Sequence, residues 1–360
     1  MSPIKVAIAG LGNCASSLVQ GTYYYQNITG NEDRVTGLMH PDFGGYLPKD
    51  IKFVAAFDIN KEKIGKDISE AIFVPPNCVI RFAETPRLGI KVQAAPILDG
   101  VAEHMQKSFD CYDPKEIKPV DVAEKLRKAG AEILINFLPV GSAKGSRYYA
   151  QAALDAGCGF INCIPEFIVS DAGWQEKYRK AGLPMAGDDI KSQVGATILH
   201  RVIAQLLMDR GVDITETYQL NIGGNTDFEN MLAEHRLKSK RISKTEAVTS
   251  LLSYPVPTRI GPSDYVPFLK DTKVCYIHAH GRKWGGMPIE VSLKLQVEDS
   301  PNSAGVVVDV VRATKLALDR GISGPLLSIS SYCFKHPPKQ VEDSTARRMV
   351  EEFIQGKLER

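Results

Sequence analysis

The sequence predicts an α/β protein: a Rossmann-like, doubly wound parallel sheet joined to a second, mainly antiparallel α+β unit. Three observations carry this. Apolar strand-like runs alternate with helical patterns over the first 210 residues. The first of those runs ends in a glycine turn, G-L-G-N-C-A at 10–15. Later, 289–297 reads I-E-V-S-L-K-L-Q-V, a strict alternation that suits a strand covered on one side only.

Taken in order, residues 4–9 predict a strand, and a helix follows from about Cys14. A second strand at 53–57 leads into a charged helix at 61–72. Residues 75–118 break the rhythm with prolines and short β-like runs, and read as a loop or edge-strand excursion. Strands at 133–138, 160–164 and 184–187 are each followed by a helix, at 142–156, 171–181 and 192–210. Beyond that point 215–222 and 274–279 look extended. The run 302–320, with the apolar body GVVVDVVRATKLAL, predicts a strong helix that returns to the first unit. The expected division is 1–199 with 300–360 as one unit and 200–299 as the other.

Composition excludes several classes. Forty-four basic against 42 acidic side chains leave a formal charge of +2, so there is no global electrostatic case for nucleic acid or a membrane surface. Seven cysteines, odd in number and without a CxxC pair, read as reduced intracellular thiols rather than disulfides or a zinc site. No apolar run approaches the roughly 18 residues of a membrane span. The N-terminus enters a strand at once, which leaves no room for a signal peptide. The expectation is a soluble cytoplasmic protein.

The glycine turn has a physical reading. Gly10 permits the tight turn, Gly12 lets the backbone approach a pyrophosphate, and Ala15 takes the position that packs helix on strand. The helix N-terminus then faces the phosphates. Asp58, ending KFVAAFD, can bind a ribose diol and disfavours a 2′-phosphate, which points to NAD. Its distance from the turn exceeds the usual spacing, so residues 21–50 must be an insertion, expected to help cover the site. A Rossmann-like unit that binds another ligand, or none, is the competing reading.

Four further stretches carry polar chemistry. GDDIKS (187–192) ends a strand and opens a helix, where Ser192 and the following amides suit an anion. NIGGNTDF (221–228) sets glycines beside Asn225 and Asp227. SKRISK (239–244) spaces Lys240 and Lys244 four apart, which on a helix puts two ammoniums on one face. Taken alone, that stretch reads more readily as a solvated basic face. EDSPNSAG (298–305) places Asp299 just before the returning helix, with Ser300 or Asn302 as its cap. His278 and His280 face one way on an extended run and read as an exposed strand face.

Together these stretches resemble myo-inositol-1-phosphate synthase in its shorter bacterial and archaeal form. The resemblance runs through GLGNCASSL, AAFDI, NFLPVGS, GDDIKSQVGAT, NIGGNTDF, SKRISKTEAV, IGPSD, KDTK, EDSPNSAG and SYCFKHPP, nearly the whole chain. It implies an NAD-dependent, redox-neutral cyclisation of glucose 6-phosphate in a homotetramer. C5 is oxidised, the C6 enolate closes onto C1, and C5 is reduced again. The first unit would then bind NAD, and the second would carry catalysis and oligomerisation.

The same resemblance assigns residues. Catalytic roles fall on Lys240, Lys244, Lys273, Lys335, Asp189, Asn225, Asp227 and Asp299, with Lys240 and Lys335 at the C5 oxygen. Cofactor contacts fall on Gly10, Gly12, Asn13, Cys14, Ala15, Asp58, Pro139, Asp188 and Asp299. The substrate phosphate is expected on Lys191, Ser192, Gln193, Thr197, Lys244 and Lys273. A divalent or monovalent cation, if the enzyme uses one, is expected at Asp299 with Ser300. Ammonium groups suit this inventory, because the substrate carries a phosphate and passes through anionic intermediates. An ordinary NAD-dependent dehydrogenase is the alternative enzyme. A non-catalytic NAD-binding regulator fits less well, since buried ammoniums are costly without an anion to meet.

Overall fold

Strand β1 (Ile4–Ala9) is buried at five of six positions and runs straight into the glycine turn and helix α1 (Asn13–Tyr24). A computed structural model describes residues 2–233, 236 and 238–360, with the side chains at 107 and 262 excepted. The first half continues through β2 (Ile51–Asp58), α2 (Ile68–Ala71), β3 (Gln93–Ala94), α3 (Val122–Ala129), β4 (Ile133–Asn136) and α4 (Ala143–Ala156). It closes with β5 (Gly159–Asn162), α5 (Ala172–Lys180), β6 (Pro184–Ala186) and α6 (Ala196–Asp209). The later elements are β7 (Asp213–Gly223), α7 (Thr226–Asn230), α8 (Lys238–Thr249), β8 (Thr258–Tyr265), β9 (Thr272–Arg282) and β10 (Pro288–Glu298). The chain ends with α9 (Asp299–Asp319), β11 (Gly324–Pro325), α10 (Leu327–Cys333) and α11 (Asp343–Ile354).

The first sheet has seven parallel strands in the order β11-β6-β5-β4-β1-β2-β3. The order reverses between β1 and β4, and in such sheets the crevice at that switch point binds ligands. The glycine turn leaves β1 there, and Phe137–Pro139 leave β4 beside it. The second sheet, β10-β9-β7-β8, is mixed: β9 pairs antiparallel with β7 and β10, while β8 runs parallel to β7. Its apolar face packs on α6, with Ala204 and Leu207 meeting Ile214, Ala279, Ile289 and Val291. Its other face is open, as the alternating exposure of β10 shows. Among the described residues no helix is long and apolar enough to cross a membrane.

Helix α9 returns from the second sheet to the first. It is buried along most of its length and packs against α1 and the strands β4, β5 and β6. Buried charges on it are fully occupied. Asp309 pairs with Arg312 and with His40 Nδ1 at 2.5 Å, and the Arg312 guanidinium donates to the carbonyls of His40, Pro41 and Tyr46. These contacts fasten the 21–50 insertion to α9.

Some local expectations need correction. The 61–72 segment is mostly turns, with one short helix at α2 capped by Asp67, because its carboxylate also holds the amides of Leu88 and Gly89. Helix α6 starts at Ala196 rather than at 192. Helix α9 starts at Asp299, and neither Ser300 nor Asn302 caps it: Asp271 accepts from the Ser300 amide, while Asn302 is bound to the Val194 backbone.

Gly10 adopts φ +87°, and a Cβ there would lie 3.0 Å from the Phe137 carbonyl oxygen. The turn thus needs glycine for both backbone and space. Gly10→Ala is expected to cost about 1–3 kcal/mol of stability, read by denaturant titration. An unchanged midpoint would contradict the strained turn.

Candidate active site

One cavity runs from the glycine turn, under β2 and the β4 loop, to the N-terminus of α6 and a cluster of lysines on the second unit. At its first end Gly10, Gly12, Asn13 and Cys14 form the turn, and Pro139 lines the wall opposite. Ala15 is wholly buried behind them in the core, where a larger side chain would push α1 off the sheet. Nothing but open space surrounds the Cβ position of Gly12, and α1 has no side-chain cap, so its first amides are free to meet a phosphate.

Asp58 closes this turn. Its Oδ2 accepts from the Leu11 amide at 2.7 Å, and its Oδ1 accepts from the amides of Ile59 and Asn60. Oδ2, with a single donor, retains capacity for a second such as a ribose hydroxyl. Buried Lys63, unassigned in the sequence, supports the turn by donating to the Leu11 carbonyl at 2.7 Å. Burial holds Lys63 below the ordinary lysine range despite Asp58 nearby. The Cys14 thiol is pushed up to about 12, chiefly by burial, and sits 3.3 Å from the Ser303 hydroxyl. It is a neutral packing group.

The cover differs from the expectation. None of residues 21–50 lines the cavity. The 75–118 excursion does so instead, through Pro76, Asn77, Pro96, Leu98, Met105 and Phe109. Asn13 ties that excursion down by accepting from the Cys78 amide at 2.8 Å.

At the far end four lysines converge from three directions. Lys240 and Lys244 lie one turn apart on α8, Lys273 opens β9, and Lys335 follows α10. Lys240 donates to Asp227 at 2.6 Å, Lys273 to Asp299 at 3.1 Å and Lys335 to Asp189 at 2.9 Å. Burial opposes the Asp227 charge, but Lys240 outweighs it and holds the carboxyl below its usual range. Burial likewise opposes the Lys273 charge, and Asp299 holds the ammonium above its ordinary value. Lys244 has no carboxylate partner among the described residues and reaches only the Ser263 hydroxyl, at 3.4 Å. Burial, then the ammoniums of Lys240, Lys273 and Lys335, push it down to about 7.

The supports explain how these side chains meet. Residues 188–191 pair with 333–336 through the bridge Ile190–Phe334, which sets Asp189 against Lys335. Asp189 adopts φ +62°, a conformation aspartate tolerates better than most residues, and also accepts from Ser243 on α8 at 2.6 Å. Asn225 caps α7 and donates to Asp271, which in turn binds the Ser300 amide and hydroxyl. Burial raises the Asp271 carboxyl to about 6. This knot joins α7, β9 and α9 at the cavity floor. Asp271 and the cavity-lining pair Gln219 and Asn221 had no assignment from the sequence, although Asn221 opens the NIGGNTDF motif. Asn221 Nδ2 is buried without a protein partner among the described residues, a donor available to a ligand.

Ser192 and Thr197 line the cavity, and Gly195, the N-cap of α6, leaves that helix's first amides open. Three expected ligands point elsewhere. Asp188 is wholly buried and accepts from Asn162, Ile168, Val169 and Ser170, so it organises the 168–170 loop rather than a cofactor. Lys191 donates to the Ser331 and Tyr332 carbonyls and pairs with Asp343, anchoring α11. Gln193 binds the Gly37 carbonyl of the insertion at 2.9 Å. Asp299 and Ser300, the pair expected around a divalent or monovalent cation, are engaged here with protein partners: Asp299 accepts from Lys273, and the Ser300 hydroxyl donates to Asp271.

The chain is similar in sequence and fold to known proteins. The family description "Myo-inositol-1-phosphate synthase" matches residues 195–300. Over 361 residues the chain is 51% identical to inositol-3-phosphate synthase of Corynebacterium glutamicum, covering 98% of each. The Mycolicibacterium smegmatis inositol-3-phosphate synthase is likewise 51% identical, again with 98% of each chain covered. A solved structure of a myo-inositol-1-phosphate synthase-related protein from Thermotoga maritima shares the fold at a TM-score of 0.79, with 23% identity and 99% of each chain covered.

Lys244 gives a pH signature. With its ammonium pushed from 10.5 to about 7, the free protein holds it largely neutral above that pH. An anion in the cavity favours the charged form, so binding between those two values must take up a proton. Sulfate, which does not itself titrate there, is expected to show this uptake when calorimetric titrations are compared in buffers of different ionisation enthalpy. Lys244→Met should abolish it. Equal uptake in the variant would place the titrating group elsewhere.

Proposed function

The chain belongs to the inositol-3-phosphate synthase family, and on that premise we propose that it converts D-glucose 6-phosphate to 1D-myo-inositol 3-phosphate with NAD, an isomerisation by intramolecular ring closure that begins inositol and inositol phospholipid biosynthesis. The observation that carries the reading is the single cavity that joins the dinucleotide turn to the four lysines. NAD, when bound, would supply a reversible hydride acceptor for C5. Gly10, Gly12, Asn13, Cys14, Pro139 and Asp58 hold it, and the open amides of α1 meet its pyrophosphate.

The remaining chemistry belongs to the side chains. The substrate phosphate rests on the free amides of α6, with Ser192, Thr197 and Lys273 around it. The open chain then extends toward Lys240 and Lys335. Lys240, coupled to Asp227, exchanges the C5 hydroxyl proton, and Lys335 donates to the C5 carbonyl oxygen, making C6 acidic. Lys244, poised near neutrality, accepts the C6 proton and returns it to the C1 oxygen as the ring closes. Protons and electrons are then both restored. The side chains of Asn221 and Asn225 supply neutral donors for sugar hydroxyls.

Residues 1–199 with 300–360 serve as the NAD-binding unit and 200–299 as the catalytic and oligomerisation unit. The open face of the second sheet, with Tyr218, Leu220 and Tyr276 partly exposed, supports assembly as a homotetramer. A cytoplasmic location suits the substrate.

Incubation with glucose 6-phosphate and catalytic NAD is expected to accumulate inositol phosphate without net NADH. Lys240→Ala should lose about 10²–10⁴-fold in rate while NAD still binds. Lys240→Arg should not restore it, because a guanidinium does not give up its proton. Net NADH would indicate an ordinary dehydrogenase instead, and wild-type turnover in Lys240→Ala would return that lysine to a structural ion pair.

A further inference from the structure

The open face of the second sheet carries a cluster that the reaction does not use. In the central strand β9, His278 and His280 stand two residues apart on that face. Across the antiparallel ladders His280 lies opposite Glu290 on β10 and Glu216 on β7, and His278 lies opposite Ser292 and Tyr218. Cross-strand neighbours at these positions bring their side chains into contact. His280 Nδ1 is 2.7 Å from Glu216, His278 Nδ1 is 2.6 Å from Ser292, and the two Nε2 atoms are 2.7 Å apart. Each Glu290 oxygen lies 3.7 Å from one of those Nε2 atoms.

Glu216 only accepts, so His280 Nδ1 carries a hydrogen and its Nε2 presents a lone pair. The Ser292 hydroxyl reaches both His278 Nδ1, at 2.6 Å, and Glu290, at 3.2 Å. When it donates to Glu290 it accepts from His278 Nδ1, the tautomer that frees His278 Nε2 as a ligand as well. The two Nε2 atoms and a Glu290 oxygen then form a set of three ligand atoms within 4.8 Å of one another, the donor types of a small metal site. We propose that His278, His280 and Glu290 bind a divalent transition ion of the zinc class, leaving the fourth position to a further ligand. Glu216 and Ser292 orient the rings from behind, the usual arrangement around metal-bound histidine. Tyr218 stacks on His278 with 4.9 Å between ring centroids and holds the first ring in place. To reach metal bonds of about 2.0–2.1 Å the Nε2 atoms need to separate to roughly 3.3 Å, a small rotation of two partly exposed side chains. The ion would clip β9 to β10 at a distance from the lysine cavity.

The test is calorimetric titration of the metal-stripped full-length protein with zinc. The expected result is one equivalent per chain whose affinity falls at least about tenfold in His280→Gln and in Glu290→Gln, with NAD binding unchanged as a check on the fold. The cobalt complex should show ligand-field bands without a thiolate charge-transfer band. No bound equivalent would leave the pair a hydrogen bond between two imidazoles and overturn the proposal. Equal affinity in both variants, or a thiolate band pointing to the cysteines, would overturn it as well.

Discussion

Four ammonium groups in one partly buried cavity are the constraint on which the rest of this structure depends. Each buried charge costs several kcal/mol in lost hydration, and four of the same sign add mutual repulsion. Three are matched within hydrogen-bond distance by Asp227, Asp299 and Asp189. The fourth, Lys244, is left to lower its own charge. The cavity is thus nearly balanced when empty and becomes strongly favourable for an anion that arrives with a phosphate and gains more negative charge as it reacts.

Holding that arrangement requires both units at once. Lys240 and Lys244 come from α8 and Lys273 from β9, while Asp189 and Lys335 belong to the loops beyond the first sheet. Helix α9 spans the two: Asp299 in its first turn meets Lys273, and its apolar body lies along α1 and the parallel strands. Asp271, with Asn225 and Ser300, locks the junction. The glycine turn stands at the other end of the same cavity, so a dinucleotide on the turn would face an anion held among the lysines. The catalytic set is an interface property, assembled only when the chain has crossed out of the first sheet and returned.

Much of this was legible in the sequence wherever the cause was local. Gly10 and Gly12 directly after an apolar run, and Asp58 at the end of another, mark the dinucleotide turn by chain geometry. The alternation in β10 marks a one-sided sheet. The lysine set was legible only through the order of motifs that resembles a known family, since nothing local distinguishes Lys240 from a solvated lysine. What was missed depends on distant partners. Asp188 and Lys191 sit in the same motif as Ser192 but turn inward, because residues 168–170 and Asp343 satisfy them. Gln193 goes to the insertion. The prolines of 75–118 indicated an irregular segment but not that it would roof the cavity, and Asp271 drew no attention because its partners are at 225 and 300.

The central claim is that the reduced cofactor stays in the closed cavity between oxidation at C5 and reduction of the same carbon. Glucose 6-phosphate bearing deuterium at C5, turned over with only catalytic NAD, tests it directly. The structure, with its glycine turn and lysine cluster in one cavity, predicts inositol phosphate that keeps the deuterium at that single carbon. Deuterium in free NADH, or product from which the label has been lost, would contradict it.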